Sequence, residues 1–255
     1  MSRTADIYSV AADIYPTVAA PQTEAMGAAL AELLAGPRPG PLDGAPGAAA
    51  DSPVLDLGSG TGGALPYLAR LGSGPLYAVE PSAAMRAGLM ATVCAVPGLA
   101  ERTTVLGGAL DDVEPLLPDR LGAVTALNML GHLDEAAEDR FWGLVRERLV
   151  PGGAVVIALQ GPLEPVPVPW TDFGTTAVGD LRYRTEGRAD PEGGAMAWTM
   201  RWTISTADGA VLETRTAHLS WRVLTPDHLR ERAAGALCEP GPARDDLLLH
   251  SFRRL

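Results

Sequence analysis

The segment Val54-Leu-Asp-Leu-Gly-Ser-Gly-Thr-Gly62 constrains this chain more than any other. A short, largely apolar run reads as a buried strand. The glycines that follow let a backbone turn sharply and approach a ligand closely. Leu65 to Leu71 reads as the helix that the turn opens, and a helix start offers free N–H groups and positive potential to an anion. Gly58, Gly60 and Gly63 satisfy the G-x-G-x-x-G fingerprint of dinucleotide sites. Asp56 with Gly58, Gly60 and Gly62 gives instead D-x-G-x-G-x-G. The second reading is the stronger. A carboxylate at the strand end would repel a pyrophosphate, whereas it suits a ligand that carries an ammonium group beside its carboxylate, as a methionine-like group does.

The elements around this turn alternate. Strands are expected at 54–57, 76–79, 103–106, 123–127 and 154–159, each short and apolar. Helices are expected at 23–35, at 65–71, after Pro81 with Ser82 as cap, and at 134–149 with Asp134 as cap and Ala137, Phe141, Leu144, Val145 and Leu149 as its apolar stripe. Pro37 to Ala50, rich in Pro, Gly and Ala, reads as a loop. Strand–helix alternation with strands apolar throughout predicts an α/β, doubly wound parallel sheet, with ligands beyond the C-terminal strand ends. Glu80 closes the second strand, 24 residues after Asp56. A carboxylate there can accept hydrogen bonds from both hydroxyls of a ribose.

After Leu159 the pattern changes. Gly161 to Pro169 is Pro-rich and predicts neither helix nor central strand. Trp170 and Phe173 are expected in that loop, as a candidate lid. Met196, Trp198, Met200, Trp202 and Ile204 alternate with small or polar residues, which is the period of a half-buried strand. Asp208-Gly209 signals a hairpin, and 211–223 returns as a strand. A two-residue loop sets Trp198 opposite Leu219 and Trp202 opposite Arg215. Thr225-Pro226-Asp227 opens a last helix, with His228 in its first turn, and 247–249 reads as the final strand, with His250 close by.

The formal charge of −11 argues against a nucleic-acid partner, since duplex binding needs a basic surface. All 20 basic residues are arginine, which excludes Schiff-base and P-loop lysines. Cys94 and Cys238 stand far apart, with no paired metal-ligand spacing, so no metal is expected and a reducing cytoplasm is. No run of about 18 apolar residues occurs, so no membrane span is expected. Asp111-Asp112 reads as a solvated turn.

Taken with Val79-Glu-Pro-Ser-Ala-Ala-Met85, Leu127-Asn-Met-Leu-Gly-His-Leu133 and Leu149-Val-Pro-Gly-Gly153, the glycine segment resembles the class I S-adenosylmethionine-dependent methyltransferases. The run at 127–133 is similar to one in glycine N-methyltransferase and its relatives, among them bacterial enzymes that methylate amino sugars in natural-product pathways. The resemblance implies a Rossmann-like methyltransferase sheet whose C-terminal strand is antiparallel, with an inserted antiparallel hairpin. Over a single domain it implies an arm and loop (1–50), a cofactor-binding core (51–160), the insertion (161–224), as substrate lid or dimer interface, and a last helix and strand (225–255). It implies S-adenosylmethionine as cofactor, S-adenosylhomocysteine as product, and a small-molecule acceptor. By the same resemblance Asp56, Gly58, Ser59, Gly60, Glu80, Met85, Gly108, Ala109, Leu110, Asn128 and His132 contact the cofactor, and Tyr8 and Tyr15 close over it. Gly108 and Gly122 depart from the family, which usually carries acids there.

For the chemistry, His132 and Tyr15 are the catalytic candidates. An imidazole with an unperturbed pKa of about 6.5 suits proton exchange near neutrality; a contact to the cofactor, or a place at the helix entry, is the competing role for His132. A phenol ring near a sulfonium is favourable by roughly 0.5–2 kcal/mol. The alternative for Tyr8 and Tyr15 is packing of the arm onto the core. Trp170, Trp198, Trp202 and His218 are candidates for the acceptor site, with core or interface as the rival role of the tryptophans. Methyl transfer to a hydroxyl or amine leads. A methyltransferase-like enzyme that dehydrates or cyclises a polyketide, a non-catalytic homodimeric binding protein, and a dehydrogenase follow.

Overall fold

The computed structural model describes residues 7–34 and 51–255. The loop expected at 37–50 lies outside them. Seven strands form the main sheet: β1 (Val54–Leu57), β2 (Leu76–Val79), β3 (Thr103–Leu106), β4 (Leu121–Leu127), β5 (Leu149–Ala158), β10 (Cys238–Arg244) and β11 (Leu249–Arg254), in the order β10-β11-β5-β4-β1-β2-β3. β1 to β5 are parallel, and β11 is antiparallel to both β5 and β10. Order reverses between β1 and β4, which opens a crevice past their C-terminal ends.

Alternate strand residues feed two cores. Leu55, Val124, Val155 and Ile157 face α5 (Glu135–Arg148) and α6 (Pro226–Gly235), through Phe141, Val145 and Leu229. Leu76, Ala78, Ala123 and Val156 face α1 (Tyr15–Leu34), α2 (Leu65–Leu68) and α3 (Ala83–Ala95), through Leu30, Leu33, Leu65 and Leu89. A further short turn of helix, α4 (Leu110–Val113), follows β3. Helix starts are fixed by the expected caps: Ser82 accepts from the Met85 N–H at 3.2 Å, Asp134 from Ala137 at 2.7 Å, and Thr225 from His228 at 3.1 Å.

Several expectations change. The first helix starts at Tyr15, eight residues earlier than expected, because Pro16 falls in its first turn, where a missing N–H costs nothing. Its buried face carries Met26, Ala29, Leu30 and Leu33, while Ala25 is exposed. Pro151-Gly152-Gly153 lies inside β5, at a register shift against β4. The last strand begins at Leu249; Leu247 and Leu248 form a turn, with Leu248 at φ 52°. β10 was not expected at all: two prolines and a glycine mask it, and it survives as an edge strand with an irregular register.

The insertion is a second, four-stranded antiparallel sheet in the order β6-β7-β8-β9, built from β6 (Val168–Val178), β7 (Leu181–Glu192), β8 (Ala195–Thr206) and β9 (Val211–Arg222). The expected hairpin is its second half, with Trp198 opposite Leu219 and Trp202 opposite Arg215 as expected, but its loop spans 207–209 and not two residues, and a bulge opposite Ile204 and Ser205 restores the register. The loop reading of Trp170 and Phe173 is overturned. Both sit on β6, an edge strand whose bulges after Val168 and Asp172 tolerate Pro169. The tryptophan face of β8 packs on the segment before α1: Trp202, Ile204 and Ala217 meet Ala11 and Ile14.

Candidate active site

The crevice past β1 and β4 is a cavity of about 300 Å³. Every position expected at the cofactor lines it: Tyr8, Tyr15, Asp56, Gly58, Ser59, Gly60, Glu80, Met85, Gly108, Ala109, Leu110, Asn128 and His132. Gln22, Thr23 and Met26 of α1 and Met129 add walls that the sequence reading did not name.

The glycine turn is shaped for close approach. Gly58 has φ 73°, and a Cβ on it would lie 2.8 Å from Met129. Gly60 has φ 55°, and the space a Cβ would enter holds no atom within 4 Å. That is a concavity a side chain would fill. Glu80, buried, receives the Gly60 N–H on Oε2 and the Ser82 N–H on Oε1, each at 2.8 Å, so the acid after β2 is tied to the turn after β1.

Asp56 is 2% exposed. Its Oδ1 accepts from the Thr125 hydroxyl at 2.7 Å, and its Oδ2 has no partner among the described residues. Burial pushes its carboxyl above the usual carboxylate range, against the Thr125 and Ser59 hydrogen bonds. A buried carboxylate oxygen with an open side calls for a donor, and an ammonium group meets that need. The acidic turn, the open space over Gly60 and the paired acid at Glu80 thus fit an adenosyl amino acid: Asp56 to the amino group, Glu80 to the ribose, Gly108 to Leu110 at the base. Burial, and then the charge of Glu80, raise the Tyr15 phenol, so it stays neutral.

His132 stands on the opposite wall. Its Nε2 meets the Tyr8 hydroxyl at 2.7 Å and the Gln160 amide at 2.9 Å. The Ser220 backbone also hydrogen-bonds the ring. Burial pulls the imidazole below its ordinary value, and the Ser220 bond opposes this in part. A neutral ring with its proton on Nδ1 presents Nε2 as an acceptor. Asn128, just before this loop, has φ 53°, a strained backbone of the kind that collects at functional sites.

The acceptor candidates fall elsewhere. Trp202 packs under the arm. Trp198 stacks on Trp221 at 5.0 Å. His218 meets Thr199 across β8 and β9, and Trp170 lies exposed under the Arg201 guanidinium at 4.3 Å. None of these four lines the cavity. Gln160 and Trp221 were missed; Gln160 stands just after a strand end, a signal that could have found it. Gly122 lies near the start of β4, in a small depression at the opposite end of the sheet, so its departure from the family pattern does not touch the crevice. Among the described residues no cluster of His, Cys, Asp and Glu could hold a metal, and no helix is long and apolar enough to cross a membrane.

Residues 54–153 match a family model described as a methyltransferase domain. No curated protein matches the chain. Among solved structures, the chain is similar to DesVI of Streptomyces venezuelae, at 17% identity over 100% of both chains with a TM-score of 0.72. It is similar to CalS10 of Micromonospora echinaspora, an amino pentose methyltransferase of calicheamicin biosynthesis solved with S-adenosylmethionine, at 18% identity over 91% of this chain and 92% of that one, TM-score 0.70. It is also similar to the sugar N-methyltransferase KedS8 of Streptoalloteichus, at 18% identity over 91% and 86%, TM-score 0.64. Residues 54–153 are therefore a methyltransferase domain, and the chain has the Rossmann-like fold of the S-adenosylmethionine-dependent methyltransferases.

Proposed function

We propose that this protein transfers a methyl group from S-adenosylmethionine to an amine or hydroxyl of a small molecule, and that the acceptor is a sugar or a glycosylated natural product. One observation carries the reading: a single crevice presents a carboxylate oxygen on Asp56 with no partner among the described residues, a turn-bound acid at Glu80, and an imidazole whose Nε2 meets the Tyr8 hydroxyl. The sugar assignment leans on CalS10, an amino pentose methyltransferase, and KedS8, a sugar N-methyltransferase, whose fold this chain shares.

When bound, S-adenosylmethionine supplies an electrophilic methyl group on a sulfonium. The chain's own work is alignment and proton handling. Asp56 would hold the amino-acid end of the cofactor, Glu80 its ribose and Gly108 to Leu110 its base, while Tyr15 and Tyr8 close the crevice against water. An acceptor amine or hydroxyl displaces the Tyr8 hydroxyl or the Gln160 amide from His132, and Nε2 takes its proton. Because burial depresses the imidazole, it is unprotonated and ready at neutral pH.

Calorimetric titration with S-adenosylhomocysteine tests the cofactor half. Mass spectrometry of amino and neutral nucleotide sugars incubated with enzyme and S-adenosylmethionine tests the acceptor half. Saturable binding and a product one methyl heavier are expected; absence of binding removes the proposal.

A further inference from the structure

We propose that Trp221, with its neighbours Ser220 and Arg222 on β9, is a positioning residue for His132, so that the inserted sheet, together with Gln160 after β5, sets the orientation and tautomer of the imidazole. This rests on His132 being the proton acceptor.

β9 is an edge of the inserted sheet, and carbonyls on an open edge need partners. Three consecutive residues of that edge meet three consecutive residues of the histidine loop. The Ser220 backbone hydrogen-bonds the His132 ring. The Trp221 indole meets the His132 ring edge-on, with centroids 5.7 Å apart. The Arg222 guanidinium donates to the Leu133 carbonyl at 3.0 Å and to the buried Glu138 of α5 at 2.9 Å. Gly131 is what permits this contact: a Cβ there would lie 2.9 Å from the Arg222 carbonyl and 3.2 Å from the Trp221 Cβ.

Trp221 does not stand alone. It stacks on Trp198 at 5.0 Å and 19°, and Phe173 meets Trp198 at 5.9 Å. An aromatic row from β6 through β8 to β9 thus ends on the imidazole. A row of rigid rings loses little conformational freedom and holds its last member firmly. The titratable and charged groups that meet this loop are Tyr8 from the arm and Arg222, which is itself neutralised by Glu138. The indole also helps to keep water from the ring, which fits the depressed imidazole.

The test needs no acceptor. Histidines labelled with 13C and 15N give one titration curve each, and loss of a signal in His132→Asn assigns the one of interest. In the wild type, His132 is expected to titrate below about 6.5 and to carry its proton on the nitrogen facing Ser220. Trp221→Ala is expected to raise that midpoint by about 0.5 unit or more and to mix the tautomers. Trp221→Phe keeps an aromatic edge and is expected to stay near wild type. Affinity for S-adenosylhomocysteine should change less than about threefold in both variants, because the Gly60–Glu80 pair is untouched. An unmoved midpoint and tautomer in Trp221→Ala overturns the proposal, as does an equal shift in Trp221→Phe. If Trp221→Ala does not fold, Trp221→Leu, apolar but without a ring, takes its place under the same criteria. Failure of the wild type to bind S-adenosylhomocysteine would instead strike the methyl-transfer reading, and leaves the histidine titration readable.

Discussion

Replacing Asp56 by Asn separates what this residue costs the free protein from what it gives the complex. Asp56 is buried, Thr125 satisfies Oδ1, and Oδ2 faces no donor among the described residues. No cation stands among the causes of its shift, so burial wins and the carboxyl is raised. A raised folded pKa means that ionisation opposes folding. The penalty is absent below the ordinary carboxylate range and complete above the folded pKa. Asn keeps the oxygen that Thr125 needs and removes the charge. The relief is that of the buried charge, offset in part by an NH₂ that takes the place of Oδ2 without an acceptor, so a net gain of about 1 kcal/mol is expected. For a chain of this size that raises the melting temperature of the free protein by roughly 2–4 °C. The gap to wild type should widen as pH rises from about 5 to 8, the sign a raised carboxyl requires. Binding should move the other way. Loss of one partner from a desolvated charge pair costs about 2–5 kcal/mol, which is roughly 30-fold or more in the dissociation constant of S-adenosylhomocysteine. Thermal melts across that pH range, with calorimetry at pH 7, read both signs. An Asp56→Asn protein that melts lower than wild type and binds S-adenosylhomocysteine as tightly refutes the assignment.

Glu80→Gln puts an amide NH₂ against one of two backbone N–H donors, so a loss of about 1–3 kcal/mol in stability and a clear loss of cofactor affinity are expected by denaturant titration and calorimetry. His132→Asn should cut turnover about 10²–10⁴-fold in a mass-spectrometric assay, with little change in S-adenosylhomocysteine binding. On a hydroxyl acceptor, the rising limb of the wild-type pH–rate profile should have its midpoint below 6.5, because a depressed base loses its proton earlier. A thiol reagent should modify exposed Cys94 quickly in the native protein and Cys238 only on unfolding, since burial pushes the Cys238 thiol up to about 11. Equal rates for the two would contradict that burial.

The cofactor side of the crevice was legible because its parts are local. Asp56, the glycines and Glu80 sit at strand ends, where short apolar runs and turn residues mark position directly, and parallel pairing of β1 with β2 brings them together. The β8–β9 hairpin was legible from Asp208-Gly209, but its pairing matches the expected one only because a bulge offsets the extra loop residue. β6 and β10 were not, because prolines in edge strands cost no ladder bond and so do not break the strand they mark as broken. The neighbours of His132 were hidden by distance along the chain. Tyr8 is 124 positions away, Gln160 is 28, and Trp221 reads only as one more apolar residue in a strand.

That contrast has a functional consequence. Asp56, the glycine turn, Glu80 and Gly108 to Leu110 follow consecutive strands of one sheet, and their spacing is set by strand pairing. The groups around Nε2 of His132 come from the arm, the end of β5 and the edge of a separate sheet, joined by single hydrogen bonds and ring contacts. On the proposed reading, substitutions at Gln160 and Trp221 would change the surroundings of His132 without disturbing Gly60 and Glu80. The arm is tied to the same sheet by Arg215 of β9, which bonds the Val10 carbonyl at 3.2 Å and the Asp13 carboxylate. The exposed carboxylate adds little by itself, but the apolar seam of Ala11 and Ile14 on Trp202 fixes where the arm lies. Arg215→Ala should therefore leave the fold intact and speed release of S-adenosylhomocysteine in stopped-flow chase, whereas Trp202→Ala, which removes the seam, should speed it more. Equal release rates in all three proteins would mean that the arm does not cover the bound cofactor.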